Sequence, residues 1–558
     1  MKTATTWALI GGAVAVLTAC GGGSTEPAAP VTPSSVTIGG TAAKGLALAG
    51  ATVSVKCATG TGTATTAANG SYSLTITGAA LPCALRVVGT EGSTFHSLLS
   101  GGASTGSFTA NLTPLTDLLV ARAAGAVPAT FYAGFVAASA PSASAVTQAL
   151  ADLRTMVAGV VDLTAVNPIS DALVAANGSN AGNALDQKID QLMAALTKAQ
   201  TTVAELSSAI ASNPTATDPI KTVLQPAATA CAWLRSGKYR MINPNETDPL
   251  LKGNVLDLNA ATLSAKNPDN SIATMTSDGG CQFTHSELGA TNKVMVSSAG
   301  VLVVHSQSTT NVNTRGVTIG LPEQTLPVSE FAGTWNIAHW DPTSGISTPG
   351  YVADTQELVI NSTGQVTSFT RCVGLAPCPA PSTSALRFVA NTSSGGFDLV
   401  EGGANKGRVY LFKSVAGKAV FVFVGNGPDR DFGIGSTKET LGALPAMGSV
   451  SNFREFQFNG NGSIGALAEN TNTVTAVDTV ANSFTRRRTA DGRVDTIGVD
   501  KPRNGLRYRA ANSCTVNGVA SNCSETVQLP LQGMGITLSL SVGNSPTSAF
   551  LNVAVIKP

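Results

Sequence analysis

Arg408-Val-Tyr-Leu-Phe-Lys413 and Ala419-Val-Phe-Val-Phe-Val424 are two short runs of β-branched and aromatic residues with Gly417 between them. Such residues suit a pleated surface buried on at least one side, and six residues is strand length. The pattern recurs in Val294-Met-Val-Ser297, Val301-Leu-Val-Val-His305 and Glu357-Leu-Val-Ile-Asn361, and another β stretch opens near Phe453-Arg-Glu-Phe-Gln-Phe458. From 229 to 558 the chain is rich in Val, Thr, Ser, Asn and Gly, with no long helical period. Short strands between turn signals predict an antiparallel β region of barrels or sandwiches, in two or more units.

Upstream, over 112–228, the composition shifts to alanine. Pro114 after Thr113 predicts a helix start, and Pro128 and Pro141 open two more helices. Leu185, Ile189, Leu192, Leu196, Ala199, Val203, Leu206 and Ile210 alternate spacings of four and three. That is a heptad seam on a single helix of about 38 Å, ended by Asn213-Pro214. It serves either a dimeric coiled coil or packing within the chain. Further upstream, over 35–111, Val53, Val55 and Cys57 alternate with Thr52, Ser54 and Lys56, the period of a half-buried strand. Asn69-Gly70 marks a tight turn. The expected fold is therefore multidomain and mainly β: an N-terminal β-sandwich, an α-helical middle segment and a C-terminal antiparallel β region.

The 558 residues carry 34 + 33 = 67 charged side chains, 12% of the chain, against roughly 25% in ordinary domains. A net charge of +1 argues against a nucleic-acid partner held by bulk charge. No apolar run long enough to span a bilayer follows the N-terminus. The first twenty residues, MKTATTWALIGGAVAVLTAC, join a basic start at Lys2 to a short apolar stretch. Their end, Leu17-Thr18-Ala19-Cys20, resembles the lipobox of bacterial lipoproteins. That resemblance implies a signal peptide over 1–19, acylation of Cys20 and a membrane partner reached through the lipid anchor. Gly21, where an aspartate would retain enteric lipoproteins at the inner membrane, implies the outer membrane. Gly-, Ser- and Pro-rich 20–34 reads as a tether.

Nine cysteines less Cys20 leave eight in an exported chain, an even number that predicts disulfides. Proximity in sequence suggests Cys57–Cys83, Cys231–Cys281, Cys372–Cys378 and Cys514–Cys523. There is no CxxC, and His96, His285, His305 and His339 lack ligand spacing, so no metal and no cofactor are expected.

Leu48-Ala-Gly-Ala-Thr-Val53 followed by Thr66-Ala-Ala-Asn-Gly-Ser-Tyr72 resembles the carboxypeptidase regulatory-like domain. This implies a small transthyretin-like sandwich of the carbohydrate-binding-like fold, with the tyrosine packed inside. Sugar binding does not follow from the fold. Phe331-Ala-Gly-Thr-Trp335 is similar to the Gly-x-Trp opening of lipocalin-like barrels, in which the tryptophan plugs one end. Cys231-Ala-Trp-Leu-Arg-Ser-Gly-Lys-Tyr239 opens a β stretch in a similar way.

Two constellations are candidate ligand sites. Arg486, Arg487, Arg488, Arg493, Lys501, Arg503, Arg507 and Arg509 lie within 24 residues. On strands Arg486 and Arg488 share a face, as do Arg507 and Arg509, and arginine forks suit phosphate or carboxylate. The same residues equally make a solvated face paired with Asp491, Asp495 and Asp500. The second constellation is Trp335, His339, Trp340 and Tyr351. Trp335 and Trp340 are five apart and cannot share a face, so one is expected in a core and the other exposed, where it would stack on a sugar.

No catalytic residue is assigned. Gly102-Ala-Ser-Thr-Gly106 matches GxSxG without the strand–elbow–helix that arms its serine, and Gly460-Asn-Gly-Ser-Ile-Gly465 matches GxGxxG without a helix to receive pyrophosphate. Both read as turns. The leading expectation is a non-enzymatic envelope-binding or adhesion protein, with a glycan or other envelope component as ligand. The alternatives are a lipocalin-like carrier of a lipid or small hydrophobic molecule, and a hydrolase whose site is unrecognised. An apolar barrel lumen would favour the carrier.

Overall fold

The computed structural model describes residues 35–102, 105–178, 180–244, 253–287, 289–342, 350–372, 379–382, 384–426, 431–542 and 548–558. The lipobox-like segment, Cys20, the tether, Ser104 and Cys378 lie outside the described residues. The chain is mainly β, with helices confined to its middle. Among the described residues no helix is long and apolar enough to cross a membrane.

The first seven strands form a three-stranded and a four-stranded sheet. Val53 and Val55 face Val87 and Leu85 across the ladder, and all four are buried with Val36 and Ile38. Tyr72 follows the Asn69-Gly70 turn into this core, donates its hydroxyl hydrogen to the Ala110 carbonyl, and is pushed up in pKa by burial. Gly70 has φ +78°, and a Cβ there would meet the Ala42 carbonyl at 2.5 Å. Cys57 and Cys83 are cross-strand neighbours and are disulfide-bonded.

The helix Pro114–Ala124 starts as the sequence predicts, with Thr113 and Thr116 in a reciprocal capping box. The continuous helix over the heptad seam does not form. The chain ends Ala184–Lys198, turns through Gln200 at φ +48°, and restarts as Val203–Ser212 under a second capping box, Thr202 with Glu205. Two orphaned amide groups are satisfied by that box, so a restart competes with propagation. Leu185, Ile189, Leu192, Leu196, Leu206 and Ile210 still face one way, into a core with Leu115, Leu118 and Leu119 of the same chain.

Asp117 ties the middle segment to the sandwich. Its Oδ1 accepts from the His96 amide at 3.0 Å and lies 2.8 Å from His96 Nδ1, while its Oδ2 accepts from Ser207 Oγ at 2.8 Å. Asp117→Ala leaves these donors buried without an acceptor. It is expected to cost about 3 kcal/mol, measured by denaturant unfolding, with Ser207→Ala milder because it removes only one donor.

Three large antiparallel sheets follow, after a two-stranded ladder of Ala227–Ala228 with Cys231–Arg235. Strands between Gly237 and Pro322 form a nine-stranded sheet, and those between Gly333 and Thr437 an eight-stranded one. Cys231–Arg235 leads into the first, and its cysteine is bonded to Cys281. Phe331 to Trp335 opens the second, which curls until its edges meet at the bridges Gln365↔Arg387 and Phe369↔Ser382. Trp335 is fully buried inside the curl with Phe331, Phe388, Phe397 and Phe421, and its Nε1 donates to the Phe331 carbonyl at 2.7 Å. Aromatic side chains therefore fill the space that a lipocalin-like carrier would leave for cargo.

The last sheet contains a closed barrel. Val450–Asn459, Ala468–Asp478, Ser483–Arg488, Arg493–Val499, Arg507–Arg509, Thr526–Leu531, Ile536–Ser541 and Phe550–Ile556 pair in a ring that returns to its first strand. Gly460 to Gly465 is a turn leading out of the first of these strands, as read. Outward-facing Phe456, Phe458, Leu529, Leu538, Leu551 and Val553 join Val303 and Ile319 of the nine-stranded sheet and Trp340, Phe412 and Val422 of the eight-stranded sheet in one dry core. The barrel is thus apolar outside, where the other sheets cover it, and mixed inside, where charged and polar side chains share the lumen with an apolar cluster of Val474, Phe484, Ile497 and Val499.

Two disulfide expectations need comment. Cys372 is disulfide-bonded, while Cys378 lies outside the described residues. Cys514 and Cys523 are free thiols, contrary to the expected pairing. The ladder sets Cys514 opposite Ser521, not Cys523, and the Cys514 thiol donates to the Ser521 carbonyl at 3.5 Å.

Candidate functional site: the lumen of the closed barrel

The barrel encloses a cavity of about 690 Å³. Period two supplies its walls. Glu455 and Gln457 point inward from one strand, Arg486 and Arg488 from another, and Arg507 and Arg509 from a third. Gln528, Ser539 and Asn552 complete a hydrogen-bonding surface, and Phe453, Phe484 and Phe550 add ring faces. The charged residues of the lining are Arg486, Arg488, Arg493, Arg507 and Arg509 against Glu455, Asp491 and Asp495, a formal balance of 5 − 3 = +2.

The four arginines paired by strand parity, Arg486 with Arg488 and Arg507 with Arg509, converge here, with Arg493 beside them. The remaining bases lie elsewhere. Arg487 is exposed on the opposite face of its strand, and Lys501 donates to the Ala481 carbonyl at 3.0 Å. Arg503 holds the barrel to the eight-stranded sheet through Asn336 Oδ1 at 2.7 Å and the Gln356 carbonyl at 3.0 Å. Glu455 was not anticipated. Its signal was parity with Phe453 and Gln457 on an alternating strand.

Asp495 is the hub. Its Oδ2 accepts from Arg493 Nη2 at 2.9 Å and lies 3.8 Å from Arg486 Nη2, and its Oδ1 accepts from Arg509 Nη1 at 3.0 Å. Burial opposes its ionisation, but the hydrogen bonds of Arg493 and the charges of Arg493, Arg509 and Arg486 outweigh it and hold the carboxyl below its usual range. Asp491, hydrogen-bonded by Arg488, is held down at about 2. Burial, aided by the charges of Arg507, Arg493 and Arg509, pushes Arg486 down to about 10 against the pull of Asp495. Arg507 has no such acid beside it. Its guanidinium lies 5.7 Å from the Phe484 ring centre, its Nε is buried without a hydrogen-bond partner, and burial depresses its pKa with only Asp500 opposing. The Nε atoms of Arg486 and Arg509 are likewise unpartnered.

The hairpin Cys514–Val516 and Val519–Ser521 hangs from Arg493 and Val494 beside the cavity, and both free thiols line it. Burial, with Cys523 alongside, pushes the Cys514 thiol up, which makes it a poor nucleophile.

The aromatic constellation is not a surface groove. Trp335 and Trp340 do face opposite sides of their strand, but both are fully buried, one in the curl and one in the shared core. The expected exposed tryptophan is covered because the barrel packs on that face. Tyr351 stacks on Trp340 at 5.5 Å and 8°. His339 sits between Asp431 Oδ1 at 2.9 Å and Asp354 Oδ2 at 3.4 Å, with Arg371 bridging Asp354 and Asp341. His339, Asp341 and Asp354 bring potential ligand atoms within 4.8 Å of one another, but Arg371 already supplies a cation there.

Burial opposes a charge on His339, yet Asp354 and Asp431 outweigh it and hold its pKa up to about 9. A raised folded value stabilises fully below the unfolded value, about 6.5 for histidine, and the gain is lost as pH rises through the folded value. His339→Gln is therefore expected to lower the unfolding midpoint most at pH 6, and the gap from wild type should close by pH 10. Thermal unfolding across that range checks it.

No family model and no curated protein matches the chain. Among solved structures it shows a likeness to the crystal structure of isotype 1 transferrin binding protein B from serogroup B Neisseria meningitidis. The TM-score is 0.18 at 10% identity, over 55% of this chain and 62% of that one. The overlap thus takes in less than two thirds of that protein, and a likeness of this size fixes no ligand.

Proposed function

We propose that the chain is an envelope-tethered binding protein, acylated at Cys20 and anchored at the outer membrane, that receives a polar ligand, a saccharide, in the lumen of its closed barrel. The observation that carries this reading is the cluster of charged and hydrogen-bonding side chains in that lumen. They share about 690 Å³ with ring faces and aliphatic side chains such as Val450, Val474 and Ile556, and a saccharide uses such polar groups together with apolar faces. Arginines stay protonated near neutrality and are poor proton-transfer groups, and the lumen acids are ion-paired. The cavity thus offers charge and hydrogen bonds in place of an acid–base pair, which supports binding without catalysis. The Leu17-Thr18-Ala19-Cys20 pattern and the tether behind it support the address.

A glycan array probed with the soluble Cys20→Ser full chain tests the reading. Retention on one family of oligosaccharides, with none on dispersed fatty acid, is the expected result. Uptake of fatty acid with no glycan retained would overturn it.

A further inference from the structure

Within the lumen the arginines are not equivalent. Arg493 and Arg509 grip Asp495 at 2.9 and 3.0 Å, and Arg488 is engaged by Asp491 and Glu455. Arg486 reaches Asp495 only at 3.8 Å, and Arg507 has no carboxylate within ion-pairing distance among the described residues. Both keep a buried Nε without a partner. The two are close enough that the charge of Arg507 destabilises that of Arg486. Two neighbouring guanidiniums in a confined space, one loosely paired and one unpaired, oppose folding. Each is stabilised when an oxyanion lies between them, because a fork can give two parallel N–H···O bonds to a carboxylate or phosphate.

We propose that Arg486 and Arg507 form the seat for an oxyanion, a carboxylate or phosphate carried on a saccharide, with Asp495 holding Arg493 and Arg509 so that these two guanidiniums stay free for the ligand. This deepens the reading of the lumen as the binding site, and rests on it. Asp495 engages Arg493 and Arg509 most closely, which leaves Arg486 and Arg507 as the less satisfied cations of the lumen. Phe484, under Arg507, gives the sugar ring an apolar neighbour beside the charged group. Arg507 acts on the ligand at the expense of the empty protein, since an unpaired, desolvated cation destabilises the fold. That sign separates a binding role from a structural one.

The test titrates the soluble Cys20→Ser full chain with glucuronate, glucose 6-phosphate and glucose, by calorimetry, with thermal unfolding alongside. Wild type is expected to bind at least one of the two anions and to bind glucose at least about tenfold more weakly, the scale of one charge-assisted hydrogen bond. The tighter anion names the source, carboxylate or phosphate. Arg507→Gln is expected to lose at least about tenfold in anion affinity while its unfolding midpoint rises in the absence of ligand. Arg507→Lys should restore part of the affinity.

Glucose binding as tightly as either anion would overturn the oxyanion seat and leave the lumen reading standing, provided the bulky lumen substitution Ser539→Trp abolishes it. Unchanged anion affinity in Arg507→Gln, or a lowered midpoint with unchanged affinity, would also overturn the seat. Binding of anion and glucose alike that survives Ser539→Trp would overturn the lumen reading itself.

Discussion

Asp495→Asn is expected to lower the unfolding free energy by about 3–5 kcal/mol at pH 7. The carboxylate is buried, with side-chain exposure of 3%, and answers Arg493, Arg509 and Arg486 at once. Asparagine keeps the shape and one acceptor but removes the charge, so three guanidiniums are left facing one another around the lumen. The pH dependence follows from the lowered carboxyl. A depressed folded value stabilises fully above the unfolded value, about 3.9 for aspartate, and the stabilisation is lost as pH falls through the folded value. The difference between wild type and Asp495→Asn should thus persist from pH 5 upward and shrink in acid. Sulfate or phosphate should partly rescue the variant, because an anion in the cavity replaces the missing charge. Denaturant unfolding with and without the anion checks both.

Trp335→Ala carries the second large effect, a loss of about 3–5 kcal/mol. The indole is fully buried among Phe331, Phe388 and Phe421, with its ring centre 5.0 Å from that of Phe421. Removing it opens a void in a curl that cannot collapse on itself, since its outer face is pinned against the barrel by Trp340, Ala338 and Phe412. The Phe331 carbonyl also loses its donor. Trp335→Phe keeps much of the volume and should cost markedly less. If the curl were a cargo site, the alanine variant would gain ligand space with little loss of stability, so the unfolding curve separates the two.

Much of this architecture is written in local pattern. Alternation in Ile536-Thr-Leu-Ser-Leu-Ser541 and Phe550-Leu-Asn-Val-Ala-Val-Ile556 marks strands with two unlike faces. Proline and Thr113 place the first helix, and arginine parity puts Arg486 with Arg488 and Arg507 with Arg509. What alternation leaves open is which face ends up inside. Here closure rests on the ladder between Ser483–Arg488 and Arg493–Val499, and the two neighbouring sheets cover the apolar outside. An ion-paired polar face on a lone sheet and a polar lumen have the same sequence signature.

The same limit explains Trp340, whose burial depends on a barrel more than a hundred residues further along the chain. The helix break has a sequence signal that the heptad spacing hides: Thr202-x-x-Glu205 is a capping box inside an apparent heptad run. Cys514 and Cys523 are near in sequence and their thiols lie side by side, yet both are free, with Cys514 opposite Ser521 in the hairpin register.

The account stands on the lumen of the closed barrel as the place where ligand binds. Ser539 faces that lumen, where its hydroxyl accepts from Gln528 Nε2 at 3.2 Å, and the cavity has room for a larger side chain. The most direct measurement is calorimetric titration of the Cys20→Ser chain and its Ser539→Trp derivative with the oligosaccharide retained most strongly on the array, with circular dichroism confirming that both are folded. Loss of at least about tenfold in affinity with the fold intact is the predicted result. Equal affinity in the two proteins would place the site elsewhere and contradict the account.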